Sequence, residues 1–276
     1  MSIMKFITKK TLIKPRRNTK QFDRSHFKAP FVTNEWDVDR HQVLTIEDNH
    51  VTNRHIIFLH GGAYVCEATL FHRMTAKKLV KMGLRVTFFD YPLSPESTPE
   101  AIHASAISMY ESLVKKYPND RFSFFGDSAG GGLALSLLMQ LRDKGIEAPK
   151  KNVLISPWLD VGISNQDVAK YTERDKILPL DVVTQIGKTF AGAFGINHPY
   201  VSPIFGNFEN LGDLFICYGS EELTYPDCKM LVLKAESAKG TTIQEIIGEG
   251  EGHDYILFPF SKKAKEAYRK IGKFLQ

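Results

Sequence analysis

Cysteine and long apolar runs are both scarce in this chain of 276 residues, and each absence excludes a class of protein. Three cysteines, Cys66, Cys217 and Cys228, are an odd number without metal-site spacing, so neither a disulfide framework nor a zinc motif is expected. No apolar run approaches the roughly 20 residues of a membrane-spanning helix. Lysines interrupt the N-terminal stretch, unlike the apolar core of a secretory signal. These features predict a cytoplasmic globular protein.

Positive charge is concentrated at the N-terminus, although the net charge of the whole chain is only +5. The first 20 residues contain seven basic side chains and no acidic one, so the rest of the chain is slightly acidic. Nucleic-acid binding is not expected, because that function needs basic residues spread over a folded face among aromatic ones. The basic start fits a solvated helix or a frayed terminus. A weak contact with an anionic membrane surface is the alternative interpretation.

Short apolar runs alternate with segments of helical periodicity along most of the chain. Near-continuous apolar runs such as HIIFLH and FSFFG are typical of strands that are covered on both faces. The pattern predicts strands at 42–47, 55–59, 85–90, 121–126, 152–156, 214–219 and 242–247. It predicts helices at 70–82, 99–117, 128–144, 225–239 and 262–274. Strands and helices in this alternation indicate a single α/β domain over 1–276, with a mostly parallel central sheet and helices on both faces.

Two segments do not follow the alternation, residues 1 to about 40 and residues 161 to about 204. The second segment is polar and helix-forming, and insertions at the strand ends of an α/β sheet usually build the walls of a ligand site. We therefore interpret both segments as parts of one small helical cap over the carboxyl edge of the sheet.

The strongest local motif is Gly126-Asp127-Ser128-Ala129-Gly130, a G-x-S-x-G between an apolar strand and a helical run. In such a turn the serine is exposed on a strained backbone, and the flanking glycines let neighbouring backbone approach closely. The helix that follows directs its N-terminal amides at the site, where negative charge develops. Ser128 is therefore the candidate nucleophile. A phosphate-binding loop is not expected, since the glycines match neither the P-loop nor the dinucleotide pattern.

A serine nucleophile needs donors for the oxyanion, and the segment His60-Gly61-Gly62-Ala63 follows an earlier predicted strand. Small residues at this position allow the amides of Gly62 and Ala63 to point into the site beside that of Ala129. A plain tight turn is the alternative interpretation for the glycine pair alone.

The general base must be a histidine, and His253 is the candidate among nine. It follows the last predicted strand in a glycine-rich loop, which places it at the same sheet edge as Ser128. The acid should lie in the loop after the preceding strand, where Glu221, Glu222 and Asp227 are all candidates. Asp254 is not favoured as the acid, because adjacent side chains tend to point apart.

These motifs together resemble the hormone-sensitive-lipase-like branch of the α/β-hydrolase fold carboxylesterases. That branch has HGGG, DYRLAPE and GDSAGG segments in this order, which here are residues 60–63, 90–96 and 126–131. The segments SPWLD at 156–160 and Ser202-Pro203 are also similar to those that flank the family's cap insert. The family's acid stands three residues after the glycine that ends the strand, and this register implies Glu222. Glutamate in place of the usual aspartate and Ala63 in place of the third glycine are departures from the family pattern.

The resemblance implies a serine carboxylesterase that hydrolyses short-chain acyl esters through Ser128, His253 and Glu222 by an acyl-enzyme intermediate. Its substrate would be a small-molecule ester, and no metal or organic cofactor would be needed. Residues near the motifs are expected to line the substrate pocket, namely Gly61, Tyr64, Asp127 and Trp158. A lipase acting at an interface, a peptidase or amidase, and a non-catalytic ligand-binding module on the same fold are the alternatives.

Overall fold

The computed structural model describes residues 2–15, 22–49, 52–258 and 261–276. In these ranges an eight-stranded sheet has the order β1-β2-β4-β3-β5-β6-β7-β8. The strands are β1 (Val32–Val38), β2 (His41–Glu47), β3 (Arg54–Leu59), β4 (Arg85–Phe89), β5 (Arg121–Asp127), β6 (Lys151–Ile155), β7 (Gly212–Gly219) and β8 (Thr241–Gly248). β1 and β2 pair antiparallel and β2 is antiparallel to β4, whereas β3 to β8 run parallel. The predicted mostly parallel sheet is confirmed.

Helices cover both faces of the sheet, and two buried apolar clusters lie beneath them. The helices are α1 (Ile3–Ile13), α2 (Leu70–Lys81), α3 (Pro99–Lys116), α4 (Ala129–Asp143), α5 (Leu180–Ala191), α6 (Tyr225–Glu236) and α7 (Lys262–Phe274). α3, α4 and α6 contribute to one cluster, and α2 and α7 contribute to the other. Within β3, Ile57 belongs to the first cluster while Ile56 and Phe58 belong to the second, because successive side chains of a strand point to opposite faces.

The N-terminal segment differs from the prediction, because part of it forms a strand of the central sheet and not a part of the cap. Residues 32–38 form β1, an edge strand that pairs with β2 over seven residues. β1 has only one neighbouring strand, and most of its residues are exposed or half-buried, with only Val38 buried. A strand in this position needs few apolar residues, so VTNEWDV does not form an apolar run. The sequence signal for a doubly covered strand was therefore missing.

Parts of both unusual segments lie near the carboxyl ends of the parallel strands, because residues of each line the same cavity as Ser128 and His253. α5 and a 3-10 turn at Gln166–Tyr171 come from the second segment. α1 packs against α5, and Lys9 Nζ lies 2.5 Å from the Asp181 carboxylate. Three of the seven basic N-terminal residues, Arg16, Arg17 and Lys20, lie outside the described residues.

Among the residues that the structure describes, every helix is too short or too polar to cross a bilayer. The cytoplasmic location stays a prediction.

Candidate active site

Ser128 lies on the turn between β5 and α4 with a strained backbone, at φ 50° and ψ −118°. The flanking glycines are needed because backbone from neighbouring segments passes close by. A Cβ atom at Gly126 would lie 2.3 Å from the carbonyl oxygen of Gly130, and one at Gly130 would lie 1.9 Å from that of Leu59. The local sequence thus permits the sharp turn that holds the serine at the strand end.

His253 reaches the serine from the loop after β8. Its Nε2 atom lies 2.9 Å from Ser128 Oγ, and the histidine side chain is almost fully buried. Parallel strands end at one edge of the sheet, so residues 125 positions apart in sequence meet at that edge. The predicted pair of serine and histidine is therefore within hydrogen-bonding distance.

The two neighbouring glutamates after β7 point to different environments. Glu222 is completely buried, and its Oε2 lies 3.7 Å from His253 Nδ1, which is longer than a hydrogen bond but within charge-pairing range. The hydroxyls of Ser156 and Thr224 donate to this carboxylate at 2.8 and 2.6 Å. Glu221 instead forms a surface ion pair with Arg174.

Asp227, the third candidate for the acid, lies elsewhere in the cavity wall. Its Oδ1 accepts a hydrogen bond of 2.8 Å from the amide of Asn165. Burial raises its pKa to about 6. Of the three candidate acids, Glu222 is therefore the one beside the imidazole.

Asp254 also contacts the imidazole, contrary to the expectation that adjacent side chains diverge. Its backbone is left-handed, with φ 55° and ψ 29°, and this conformation brings its Oδ2 atom to 3.3 Å from His253 Nε2. The carboxyl group stands at the nitrogen that faces Ser128, opposite Glu222. Sequence reasoning could not detect this placement, because a left-handed residue is not marked by composition or periodicity.

The charges around His253 oppose the effect of its burial. Burial lowers the pKa of His253, but the negative charges of Asp254 and Glu222 raise it to about 10. Burial also raises the pKa of Asp254 well above that of an ordinary aspartate. When Asp254 is protonated, one of the negative charges that stabilise the imidazolium is removed. The pKa of His253 then falls, and more of the imidazole is in the neutral form that acts as a base.

The predicted oxyanion residues are next to the serine. Gly62 has φ 120° and Ala63 has φ 55°, so the chain turns sharply after β3, and both residues line the same cavity as Ser128. Ala129 is the first residue of α4, where the N–H groups have no acceptor within the helix. The three candidate oxyanion residues therefore lie near Ser128, two in the same cavity wall and one next to it in the chain.

A cavity of about 160 Å³ contains Ser128, His253 and Asp254 in its wall. Its lining is mainly apolar and comes from both unusual segments: Thr8 and Leu12 of α1, and Ile163, Val168, Ile177, Leu178 and Val183 of the second segment. Trp158 lines it as predicted. The N-terminal helix and the insert therefore close the cavity from two sides.

The other three predicted pocket residues are not part of this lining. The Tyr64 ring is buried and stacked on Phe190 of α5, with centroids 3.8 Å apart. Gly61 and Asp127 bond to each other, since the Gly61 amide donates to Asp127 Oδ2 at 3.0 Å. They support the turn that carries the oxyanion residues instead of lining the pocket.

Comparisons with known proteins agree with this architecture. The profile of the family described as alpha/beta hydrolase fold matches residues 56–257. An acetyl-hydrolase of Streptomyces hygroscopicus is 32% identical over 192 residues, 69% of this chain. A triacylglycerol lipase of Mycobacterium tuberculosis is 27% identical over 223 residues, 79% of this chain. The matched regions span 64% and 46% of these two relatives, respectively.

A solved structure of an esterase from the bacterial hormone-sensitive lipase family is similar over nearly the whole chain. Its TM-score is 0.85 at 25% sequence identity, and the match covers 99% of this chain and 95% of the other. The sheet order, the position of the serine turn and the family match lead to one assignment. This chain belongs to the alpha/beta hydrolase fold family, in its hormone-sensitive-lipase-like branch.

Proposed function

We propose that this protein is a serine carboxylesterase that hydrolyses short-chain acyl esters. The observation that carries the proposal is the 2.9 Å distance from Ser128 Oγ to His253 Nε2, at the wall of a mainly apolar cavity. The buried Glu222 carboxylate on the other side of the imidazole supports the roles of base and acid. The named activities of the relatives, an acetyl-hydrolase and a lipase, are in keeping with ester hydrolysis.

In the proposed mechanism, Ser128 Oγ attacks the ester carbonyl carbon while His253 Nε2 takes the hydroxyl proton. The negative charge on the carbonyl oxygen is held by the amides of Gly62, Ala63 and Ala129. Collapse of the tetrahedral intermediate breaks the bond to the alcohol oxygen, and His253 gives its proton to that oxygen. A water molecule then attacks the acyl-enzyme by the same route. Glu222 fixes the imidazole tautomer and stabilises the imidazolium without taking its proton.

The small volume of the cavity, about 160 Å³, supports short acyl chains. Leu12 from α1 and Val183 from α5 both line it, so two helices limit its depth. We infer that α1 and the segment 161–204 act as one cap over a single α/β domain. A series of p-nitrophenyl esters should therefore give its highest kcat/KM between about two and six acyl carbons.

Covalent labelling by a fluorophosphonate probe tests the proposal directly. The wild-type protein should gain the mass of one adduct, and Ser128→Ala should gain none, because only an activated serine attacks the phosphorus atom. Absence of an adduct on the wild type would support the non-catalytic binding module instead. An equal adduct on both proteins would place the reactive group elsewhere.

A second candidate, a lipase acting at a lipid interface, is favoured by the outward face of α1. Ile3, Phe6 and Ile7 are 79%, 45% and 50% exposed, whereas Lys5 and Lys9 point toward the cap. The helix thus presents apolar side chains to solvent and uses lysines for internal contacts, which is the reverse of a typical surface helix. An apolar face with basic residues nearby is suited to an anionic lipid surface.

Vesicle sedimentation tests this second candidate. The wild type should sediment with vesicles that contain phosphatidylglycerol more than with pure phosphatidylcholine, and Phe6→Ser with Ile7→Ser should sediment less. Activity should also rise with ester concentration beyond the solubility limit. Equal sedimentation of both proteins, or saturation below that limit, would exclude the interfacial role and leave the esterase proposal intact.

A further inference from the structure

Asp254 places a carboxyl group at the side of His253 where the ester reacts. Its Oδ2 atom lies 3.3 Å from His253 Nε2, the same nitrogen that is 2.9 Å from Ser128 Oγ. Glu222 approaches the opposite nitrogen, Nδ1. Two acidic groups therefore flank one imidazole, and only Asp254 is on the substrate side.

The fold holds Asp254 in this position through its backbone. Its left-handed conformation is one that aspartate adopts more readily than most residues. Its N–H donates to Ser156 Oγ at 3.1 Å, and the Ser156 hydroxyl donates to Glu222 at 2.8 Å. The orientation of Asp254 is thus fixed by the same group that supports the orienting acid.

Among the described carboxyl groups that line the cavity, Asp254 is the one with a fully buried oxygen that has no hydrogen-bond partner. Asp160 accepts from the backbone of Gly162 and Ser164, and Asp227 accepts from Asn165. Asp254 Oδ1 is buried without a hydrogen-bond partner in the described part of the chain. The described lining contains no lysine or arginine. A buried oxygen in this situation is costly unless a ligand bonds to it.

We propose that Asp254 recognises the alcohol portion of the substrate, by bonding to a hydroxyl on the carbon next to the ester-bearing carbon. This inference rests on the esterase function proposed above. The departing alcohol oxygen must come within about 3 Å of His253 Nε2 to receive its proton. Asp254 stands beside that nitrogen, so the neighbouring carbon of the alcohol is the nearest position from which a hydroxyl can reach the carboxyl group. Esters of glycols and other polyols have this arrangement.

A hydroxyl suits the site better than a cationic group. It can donate to the Asp254 carboxylate and can equally accept from the protonated acid, so it pairs with either form. Burial raises the pKa of Asp254, which increases the neutral form and weakens any preference for an ammonium group. The apolar remainder of the lining is then free to receive the acyl chain.

The test compares two acetates of the same size, 2-hydroxyethyl acetate and propyl acetate, by pH-stat titration. The ratio of their kcat/KM values in the wild type should favour the glycol ester, and the ratio should fall roughly fivefold to tenfold in Asp254→Gly. Glycine removes the carboxyl group and tolerates the left-handed backbone without strain. Asp254→Asn keeps hydrogen-bonding atoms in place and should retain most of the ratio. The ratio corrects for any general loss of catalysis.

Glu221→Gln is the control, since it removes a carboxylate that lies at the surface outside the cavity lining, and its ratio should equal that of the wild type. An unchanged ratio in Asp254→Gly would overturn the proposal. A strong preference for acetylcholine that disappears in Asp254→Asn would show recognition of charge and would overturn the choice of a hydroxyl. A wild type that hydrolyses none of these esters and takes no fluorophosphonate would refute the esterase proposal itself.

Discussion

The amide of Gly61 donates a 3.0 Å hydrogen bond to Asp127 Oδ2, which joins the turn of Gly62 and Ala63 to the turn of Ser128. His72 Nε2 lies 3.0 Å from the same oxygen, so α2 is tied to this junction as well. Gly61 cannot carry a side chain here, because a Cβ atom would lie 2.2 Å from Asp127 Oδ2. One buried carboxylate thus holds the two turns that must act together.

Replacing Asp127 with alanine should lower kcat by roughly 10- to 100-fold, with a much smaller change in KM. The loss follows because loosening the oxyanion turn misplaces its donors relative to the developing charge, and small misplacements are costly. Asp127→Asn keeps an acceptor for Gly61 and should lose less. Steady-state kinetics on p-nitrophenyl acetate measure kcat and KM for both variants. A wild-type kcat in the alanine variant would show that the junction has no role in catalysis.

Glu222→Gln and Glu221→Gln should differ strongly although they are neighbours. Glutamine at 222 keeps the shape but removes the charge and can stabilise the wrong imidazole tautomer, so kcat should fall by up to roughly 10⁴. Glu221 pairs with Arg174 at the surface, and its replacement should cost less than about tenfold. Circular dichroism should show both variants folded. Reversed results would mean that Glu221 is the acid, and two active variants would direct attention to Asp254, the other carboxyl group beside the imidazole.

Most of the sheet and the central residues of the site could be predicted because their signals are local. The parallel strands are covered on both faces and therefore read as apolar runs, and the seven predicted strands and five predicted helices are present with small shifts of their ends. Ser128 and His253 follow strands, and parallel strands bring their carboxyl ends together. The edge strand β1 was missed because its mostly solvated surface needs no such run.

The details of the pocket could not be predicted because they depend on packing between distant segments. Tyr64 was expected to face the substrate, but its ring lies flat against Phe190, a residue of the cap helix α5. The sequence does not favour Asp254 as a partner of His253, because adjacent side chains tend to point apart. The positive φ angle of Asp254 turns its side chain toward the imidazole instead. Neither the placement of a cap nor one left-handed residue is encoded in a short motif.

Stability should fall as the pH is lowered from about 6.5 to about 4, because of buried histidines. Burial lowers the pKa of His103 and of His60 from 6.5 to about 4, so both are neutral in the fold but take up protons when unfolded. The unfolded state binds more protons between these pH values. Each histidine therefore lowers the free energy of unfolding by at most about 1.4 kcal/mol for each pH unit of acidification. Urea unfolding at several pH values measures this dependence of the unfolding free energy on pH.

His103→Gln should make this slope shallower, because it removes one titrating group, a buried side chain of α3 that contacts Ser136 of α4. His26→Gln is the control, since that side chain is exposed and should leave the slope as it is. The comparison uses the slope with pH and not the stability at a single pH, so a general destabilisation by the substitution does not obscure it. Equal slopes in His103→Gln and the wild type would contradict the explanation.

Leu12→Ala should shift the preferred acyl chain toward longer esters by about one to three carbons. Leu12 is 8% exposed, lies on the inward face of α1 and lines the cavity, so its truncation removes part of the wall that limits depth. Short esters should bind more weakly at the same time, because they leave part of the enlarged space unfilled. Thr11→Ala changes an exposed neighbour on the same helix and should leave the optimum where it is. The p-nitrophenyl ester series is measured on the wild type, Leu12→Ala, Thr11→Ala and Val183→Ala, and the ratio of kcat/KM between butyrate and octanoate is the sensitive quantity. If Leu12→Ala keeps the wild-type ratio while Val183→Ala changes it, the acyl chain lies against α5 and the N-terminal helix covers the alcohol side instead.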